Sequence, residues 1–267
     1  MNVGLRSWTQ RLIGRADLSS ERQPNQRCIL VLGMHRSGTS CLTGSLQKRG
    51  LTLGEVFTQN AFNAKGNREN RKVMGLNDEV LAASGGAWDR PPEQLSWSRG
   101  MERTRDRLIT SLRRSAPQAW GFKDPRTLLT LPFWLEGLVD PQFVGTFRHP
   151  MSVARSLQNR GDIAIQNGIE LWYQHNIRLI DLWERQPFPL LSFDVPAEEY
   201  EHSIIRAGDE LGLSRSAADD SFFNDSLRHH LGDVDSHDLP EPSAQLYGRL
   251  REIYLSWRDQ PTACVPA

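Results

Sequence analysis

Short apolar runs that end at glycine or at charged residues alternate along the chain with longer segments of helical spacing. The first run, residues 28 to 33, is continuously apolar and stops at glycine, as a buried parallel strand does, and residues 39 to 49 follow with helical spacing up to Gly50. A strand, a polar turn and a helix recur in that order over residues 120 to 138 and over residues 142 to 160. This alternation predicts an α/β fold with a mostly parallel central sheet flanked by helices.

The rest of the pattern predicts four more helices, one more strand and two long loops. Helical spacing covers residues 69 to 83, 101 to 114, 169 to 185 and 244 to 257, a short strand covers 189 to 195, and polar loops cover 52 to 68 and 84 to 100. Beyond about residue 214 the pattern weakens to a polar loop that precedes the last helix. The two long loops are expected to shape a binding pocket, with Trp88 and Trp97 as candidates to line it.

Length and composition indicate one large domain. The chain has 267 residues, of which 38% are hydrophobic, enough to bury a full core. We place a single α/β domain at residues 28 to 267, after an N-terminal extension at residues 1 to 27. That extension is rich in arginine and carries apolar residues at helical spacing, so it is interpreted as an accessory helix and linker or as a surface-binding amphipathic helix.

Charge and cysteine content exclude several classes of partner. The 32 basic and 32 acidic residues balance, so neither nucleic acid nor an anionic membrane is expected as the main partner. The three cysteines lack motif spacing, and no stretch reaches the ~20 apolar residues of a spanning helix, so we expect a cytoplasmic protein. The histidines at 229, 230 and 237 match no zinc pattern, and no metal is expected.

The sequence GMHRSGTS, residues 33 to 40, lies between the first predicted strand and its helix. If Gly33 and Gly38 are the two glycines of a phosphate-binding loop, the lysine that normally follows them is absent, because Thr39 stands there. The backbone N–H groups of residues 35 to 40 can converge on an anion at the positive end of the helix, and Arg36 adds a full charge. We therefore predict a phosphate or sulfate cradle rather than a structural turn.

A second candidate anion site occurs in FRHPMSVARS. Arg148 lies just past a predicted strand, Pro150 suits the first turn of a helix, and Ser156 lies two turns along that helix. An arginine and a hydroxyl in this arrangement can hold a phosphate, the first by charge and the second by hydrogen bonding. Either residue alone is equally typical of a surface ion pair or of an ordinary helix position.

Together the two motifs resemble the sulfotransferases that use 3′-phosphoadenosine-5′-phosphosulfate (PAPS), in the bacterial-type branch whose loop has the sequence R-S-G-T-[ST]. The likeness extends to KGNRENRKVMGLNDEVL and GFKDPRTLL, and so covers most of residues 28 to 200. It implies that Arg148 and Ser156 bind the 3′-phosphate and that the first loop binds the 5′-phosphosulfate. The loop residues so assigned are His35, Arg36, Ser37, Gly38, Thr39 and Ser40. A further phosphate-gripping loop near the C-terminus has only Arg228 as a candidate.

The acceptor side needs a base that takes the proton of the attacking hydroxyl. Glu69 in KGNREN is the first candidate, because a similar segment recurs in the bacterial sulfotransferases that the chain resembles. Glu55 is the second, since it follows Arg36 at nearly the spacing of the glutamate base in the tyrosylprotein branch. Asp124 and His35 are further alternatives. For each of these residues an ordinary structural role is also open.

These observations predict an enzyme that transfers a sulfuryl group from PAPS to a hydroxyl or amine of an organic acceptor, a carbohydrate or small metabolite, and releases adenosine 3′,5′-bisphosphate (PAP). Arg36 would stabilise the leaving phosphate and the moving sulfuryl group by metal-free in-line displacement. The alternatives are a P-loop kinase or nucleotide hydrolase, with Asp194 as its candidate magnesium ligand, and a non-catalytic nucleotide-binding protein of the same fold.

Overall fold

The structure is a computed structural model, and it describes residues 26–58, 66–116, 118–161, 163–213 and 239–261. Within these residues the strands are β1 (Arg27–Leu32), β2 (Leu51–Thr52), β3 (Ala119–Lys123), β4 (Gln142–Phe147) and β5 (Leu190–Ser192). The helices are α1 (Thr39–Lys48), α2 (Arg71–Ala83), α3 (Arg99–Arg114), α4 (Thr127–Leu135), α5 (Pro150–Gly161), α6 (Ile165–Arg185), α7 (Ala197–Glu210) and α8 (Glu241–Asp259).

The strands form one parallel sheet in the order β2-β3-β1-β4-β5. From β1 the chain runs to β2 on one side, whereas from β4 it runs to β5 on the other. The neighbouring strands β1 and β4 therefore form the topological switch point, and a crevice opens beyond their carboxyl ends. Ligands of open α/β folds bind in such a crevice, so the fold alone directs attention to the residues that follow Leu32 and Phe147.

The sheet is the centre of the hydrophobic core. In β1 every residue from Cys28 to Leu32 is buried, and in β4 the same holds from Phe143 to Phe147. Helix α1 packs against α7, while α4, α5 and α8 pack on α6. Burial on both faces explains the continuous apolar runs of these strands, because a sheet with one wet face would show alternation instead.

The predicted α/β class is confirmed, and most predicted elements occur with shifted ends. Helix α6 begins at Ile165 and the last helix at Glu241, each a few residues earlier than the spacing indicated. The short strand β2 lies at the start of a predicted loop, and α7 follows Pro196 in a region for which the sequence pattern predicts no element. Strand β2 has only two residues and is defined by its pairing with β3, which no local pattern encodes.

Several expectations fall outside the described residues. They are the N-terminal extension up to residue 25, the candidate Arg228, the histidines at 229, 230 and 237, and Cys264. Among the helices of the described ranges, none combines the length and the apolar character needed to span a membrane.

Candidate active site

The loop between β1 and α1 has backbone angles that only certain residues adopt easily. Gly33 has φ 149° and Gly38 has φ 82°, both in the region that favours glycine. A Cβ atom on Gly33 would lie 2.5 Å from the carbonyl oxygen of Thr146 in β4, so the loop closely approaches the neighbouring strand. Arg36 also has a positive φ, 66°, although it is not glycine. Such strain at a non-glycine residue is typical of functional loops.

The start of α1 has no side-chain cap. Its N-cap is Gly38, which has no side chain to accept from the first-turn N–H groups. The hydroxyl of Ser37 is buried and has no hydrogen-bond partner, while its backbone carbonyl accepts from Thr146 Oγ1 at 3.0 Å. Uncapped amides beside an unpaired buried hydroxyl suit a bound oxyanion at the positive end of the helix.

The two anion sites predicted from sequence adjoin each other in space. Arg36 Nε donates to Ser156 Oγ over 2.8 Å, which links the loop to the second turn of α5. Arg148 follows β4, the strand next to β1. Burial lowers the pKa of Arg36 from its usual value, and the positive charges of Arg160 and Arg148 lower it further. Like charges gathered at one crevice repel each other, and a multivalent anion would relieve that repulsion.

Arg148 is held in place by the two residues that follow β5. Its guanidinium lies 3.7 Å from Asp194 Oδ1 and stacks on Phe193 at 5.5 Å from the ring centroid. Asp194 also accepts from the backbone N–H of His149 at 2.6 Å and from the hydroxyl of Tyr247 at 3.2 Å. These contacts indicate that Asp194 positions Arg148. The kinase alternative would instead need Asp194 as a magnesium ligand.

A lysine does reach the cradle, but from another strand. Lys123 ends β3, and its Nζ lies 3.3 Å from Ser40 Oγ and 2.7 Å from Glu69 Oε1. Lys123 is 2% exposed and Glu69 is 7% exposed, so this ion pair is buried. The sequence analysis does not single out Lys123. Its position at the carboxyl end of a predicted strand is the signal that could have identified it.

Comparison with solved structures identifies the fold. The sulfotransferase domain from the Synechococcus PCC 7002 olefin synthase aligns over 85% of this chain and 95% of its own, with a TM-score of 0.53 and 15% identity. This chain has a sulfotransferase fold. The sulfotransferase domain from the curacin biosynthetic pathway gives a TM-score of 0.48 at 13% identity, covering 85% of this chain and 98% of its own. Sulfotransferase STF9 from Mycobacterium avium gives a TM-score of 0.49 at 14% identity, covering 88% of this chain and 77% of its own.

At the level of sequence, no protein-family model matches the chain, and no curated protein matches it. The identities to the solved sulfotransferase structures are correspondingly low. The likeness therefore concerns the sulfotransferase fold, and the chemistry has to be argued from the residues of this chain.

The candidate bases occupy different positions in this sulfotransferase fold. Glu69 is buried against Lys123, beside the loop hydroxyl of Ser40. Glu55 is exposed, next to the turn at Gly54. Asp124 is 1% exposed and accepts from the backbone and side chain of Arg126 at 2.8 and 3.2 Å. Burial raises the pKa of Asp124, although Arg126 opposes this effect.

The remaining predicted residues divide between the crevice and the core. The ring of His35 packs on Trp88 with centroids 4.6 Å apart, so the loop from 84 to 100 reaches the cradle. Trp97 instead packs on Phe133 and donates to Glu102, a structural role. In the described ranges no three histidine, cysteine or acidic side chains group as metal ligands would.

Replacing Gly38 with Ala is expected to destabilise the protein by about 1–3 kcal/mol, through backbone strain and a clash between the new Cβ and the Phe193 ring. The control is Gly75→Ala in the exposed face of α2, where a Cβ meets nothing within 4 Å and about 0.5–1 kcal/mol of stabilisation is expected. Urea unfolding of both variants should give shifts of opposite sign. Equal shifts would contradict the conformation assigned to the loop.

Proposed function

We propose that this protein transfers a sulfuryl group from PAPS to a hydroxyl or amine of an organic acceptor, a carbohydrate or small metabolite. The observation that carries the proposal is the hydrogen bond from Arg36 to Ser156. It joins a cradle at the end of β1 to a helix that begins at the end of β4, so that one ligand with two anionic groups can engage both. PAPS carries a 5′-phosphosulfate and a 3′-phosphate and has this character.

Each anionic group of the donor has its own partners in this assignment. The loop from His35 to Ser40 binds the 5′-phosphosulfate through its N–H groups, the Ser37 hydroxyl and Arg36. Arg148 and Ser156 bind the 3′-phosphate. The fixed arginine is supported by Asp194 and Phe193, so little side-chain entropy remains to be lost when the phosphate binds.

The reaction is an in-line displacement at sulfur. The acceptor oxygen forms a bond to sulfur while the bond from sulfur to the bridging phosphate oxygen breaks, and PAP leaves with the electron pair. Glu69 takes the proton of the attacking hydroxyl. Lys123 and Arg36 stabilise the negative charge that develops on the bridging oxygen and on the sulfuryl oxygens.

The buried pair of Lys123 and Glu69 suits these roles. A hydrogen bond of 2.7 Å fixes the carboxylate beside the cradle, and the second contact of the ammonium, 3.3 Å to Ser40 Oγ, points the charge at the loop. The pair thus holds a proton acceptor and a cation side by side at the cradle. This arrangement favours Glu69 over the exposed Glu55 as the base.

The test is calorimetric titration of the full chain in EDTA with PAP, ATP and AMP. PAP is expected to bind more tightly than either competitor, without metal. Arg148→Ala should weaken PAP binding by about 10- to 150-fold, since a charge-assisted contact with phosphate contributes about 1.5–3 kcal/mol. The affinity for AMP, which lacks the 3′-phosphate, should fall far less in this variant.

The matched control is Arg185→Ala, which removes the same charge from an exposed position at the end of α6. It should leave PAP binding within about twofold, as expected for a distant surface charge screened by salt. Preference for ATP with Mg²⁺, or equal PAP affinity in Arg148→Ala, would overturn the proposal in favour of a kinase or another nucleotide-binding protein. Binding of PAP without turnover by any acceptor would favour a non-catalytic role.

A further inference from the structure

Beside the cradle, the structure places two histidines whose ring edges are buried and incompletely paired. His175 in α6 is fully buried, and its ring centroid lies 6.1 Å from that of His35 in an edge-to-face arrangement. His35 Nδ1 and His175 Nε2 are both buried without a hydrogen-bond partner. Unpaired buried nitrogens are costly, so two of them in neighbouring rings require an explanation.

The tautomer of His175 follows from its one hydrogen bond. Its Nδ1 lies 2.8 Å from the carbonyl oxygen of Leu171, and a carbonyl can only accept. Nδ1 therefore carries the proton, and Nε2 of the neutral ring carries a lone pair. That lone pair faces the protein interior and lacks a donor.

Both rings are neutral at physiological pH. Burial lowers the pKa of His175 to about 4, and Arg178 adds to this effect. Burial also lowers the pKa of His35 well below its usual value, and His175, Arg126, Lys123 and Arg160 act in the same direction. The nearby cations also oppose a metal ion between the rings. A neutral His35 has one N–H, and it must be assigned to Nδ1 or Nε2.

We propose that His175 holds His35 as its Nδ1–H tautomer, and that the Nε2 lone pair of His35 accepts a hydrogen bond from a hydroxyl of the acceptor molecule beneath Trp88. The Nδ1–H of His35 then meets the lone pair of His175, directly after a small shift or through one water, and both buried nitrogens are satisfied. This inference rests on the proposed function, because it concerns the acceptor side of that site.

The consequence is a requirement on the acceptor. His35 contributes a neutral hydrogen-bond acceptor, whereas Arg36 is engaged with the donor and Lys123 with Glu69. Trp88 packs on the His35 ring and supplies an apolar surface at the same place. The acceptor class that fits is a neutral hydroxylated ring, in which one hydroxyl attacks sulfur and another donates to His35.

The experiment is ¹⁵N NMR of the full chain labelled at histidine, in EDTA, where the nitrogen shifts separate the two neutral tautomers. His35→Gln and His175→Gln assign the resonances. We expect the Nδ1–H form for both residues, with no protonation around neutral pH. His175→Phe removes the lone pair and should shift His35 toward the Nε2–H form, whereas His175→Gln, which keeps an acceptor near the Nε2 position, should preserve Nδ1–H.

Recognition is measured in the same spectra with glycerol as the hydroxyl probe, added to the complex with PAP. The His35 Nε2 resonance should move toward the hydrogen-bonded range in the wild type. An Nε2–H tautomer of His35 in the wild type, or no response to glycerol, overturns this inference. The tautomer is measured without PAP, so its failure is distinguishable from failure of the PAP titration. Because the wild type alone decides the tautomer, an unfolded His175→Phe variant would not prevent the test.

Discussion

Replacing Lys123 with Met is expected to destabilise the protein by about 3–5 kcal/mol, the range for removing one partner of a buried ion pair. Lys123 is 2% exposed, and its ammonium lies 2.7 Å from Glu69 Oε1. Its loss would leave the carboxylate of Glu69 buried without its cation. Urea unfolding with a constant m-value measures the change. Methionine keeps the length and most of the volume of lysine, so the effect is that of the charge.

The pairing itself is tested by a double-mutant cycle. Glu69→Gln should relieve much of the penalty when it is combined with Lys123→Met, because no buried unpaired charge then remains. Lys72→Met, at an exposed position on α2, is the matched control and should change stability by less than about 0.5 kcal/mol. Additive effects of the two buried substitutions would refute the coupling on which the proposed base and cation depend.

Acidification from about pH 6.5 to pH 4 is expected to remove about 5 kcal/mol of stability through His149 and His175, and His35 adds a loss in the same direction. Burial lowers the pKa of His149 to about 4 and that of His175 to about 4, against an ordinary value of 6.5. In this window the unfolded chain binds the proton and the folded chain does not, so stability falls as pH falls and stops falling below the folded pKa. Each pKa unit corresponds to about 1.4 kcal/mol, which gives about 3.5 kcal/mol in full for each residue, of which about 2.5 kcal/mol falls between pH 6.5 and pH 4.

The variants for this prediction keep the existing hydrogen bonds. His175→Asn retains a donor for the Leu171 carbonyl, and His149→Asn retains an acceptor for the backbone N–H of Met151. Each should reduce the loss of stability over this window by about 2.5 kcal/mol, whereas His202→Asn at an exposed position should leave it unchanged. Burial shifts the pKa of Asp124 in the opposite direction, so the difference between wild type and variant is the decisive quantity. Equal slopes in all four proteins would contradict the prediction.

The candidate site could be predicted where a short stretch of sequence specifies the conformation of that same stretch. The glycines of the loop, the apolar strand before it and the helix after it predicted an anion cradle, and Arg148 with Ser156 predicted a second one. Lys123 could not be assigned this way, because its partner Glu69 is 54 residues earlier in the chain. Only the pairing of β1 with β3 brings the lysine to the cradle.

By itself, the sequence determined the α/β class, the central strands β1 and β4, and the residues of the loop from Gly33 to Ser40. Each of these follows from short-range physics: apolar runs for doubly buried strands, and glycine where φ must be positive. The tertiary structure decided which separate segments meet. It joined Arg36 to Ser156, Lys123 to Glu69, and His35 to His175. Those contacts depend on strand order and helix packing, which no window of the sequence contains.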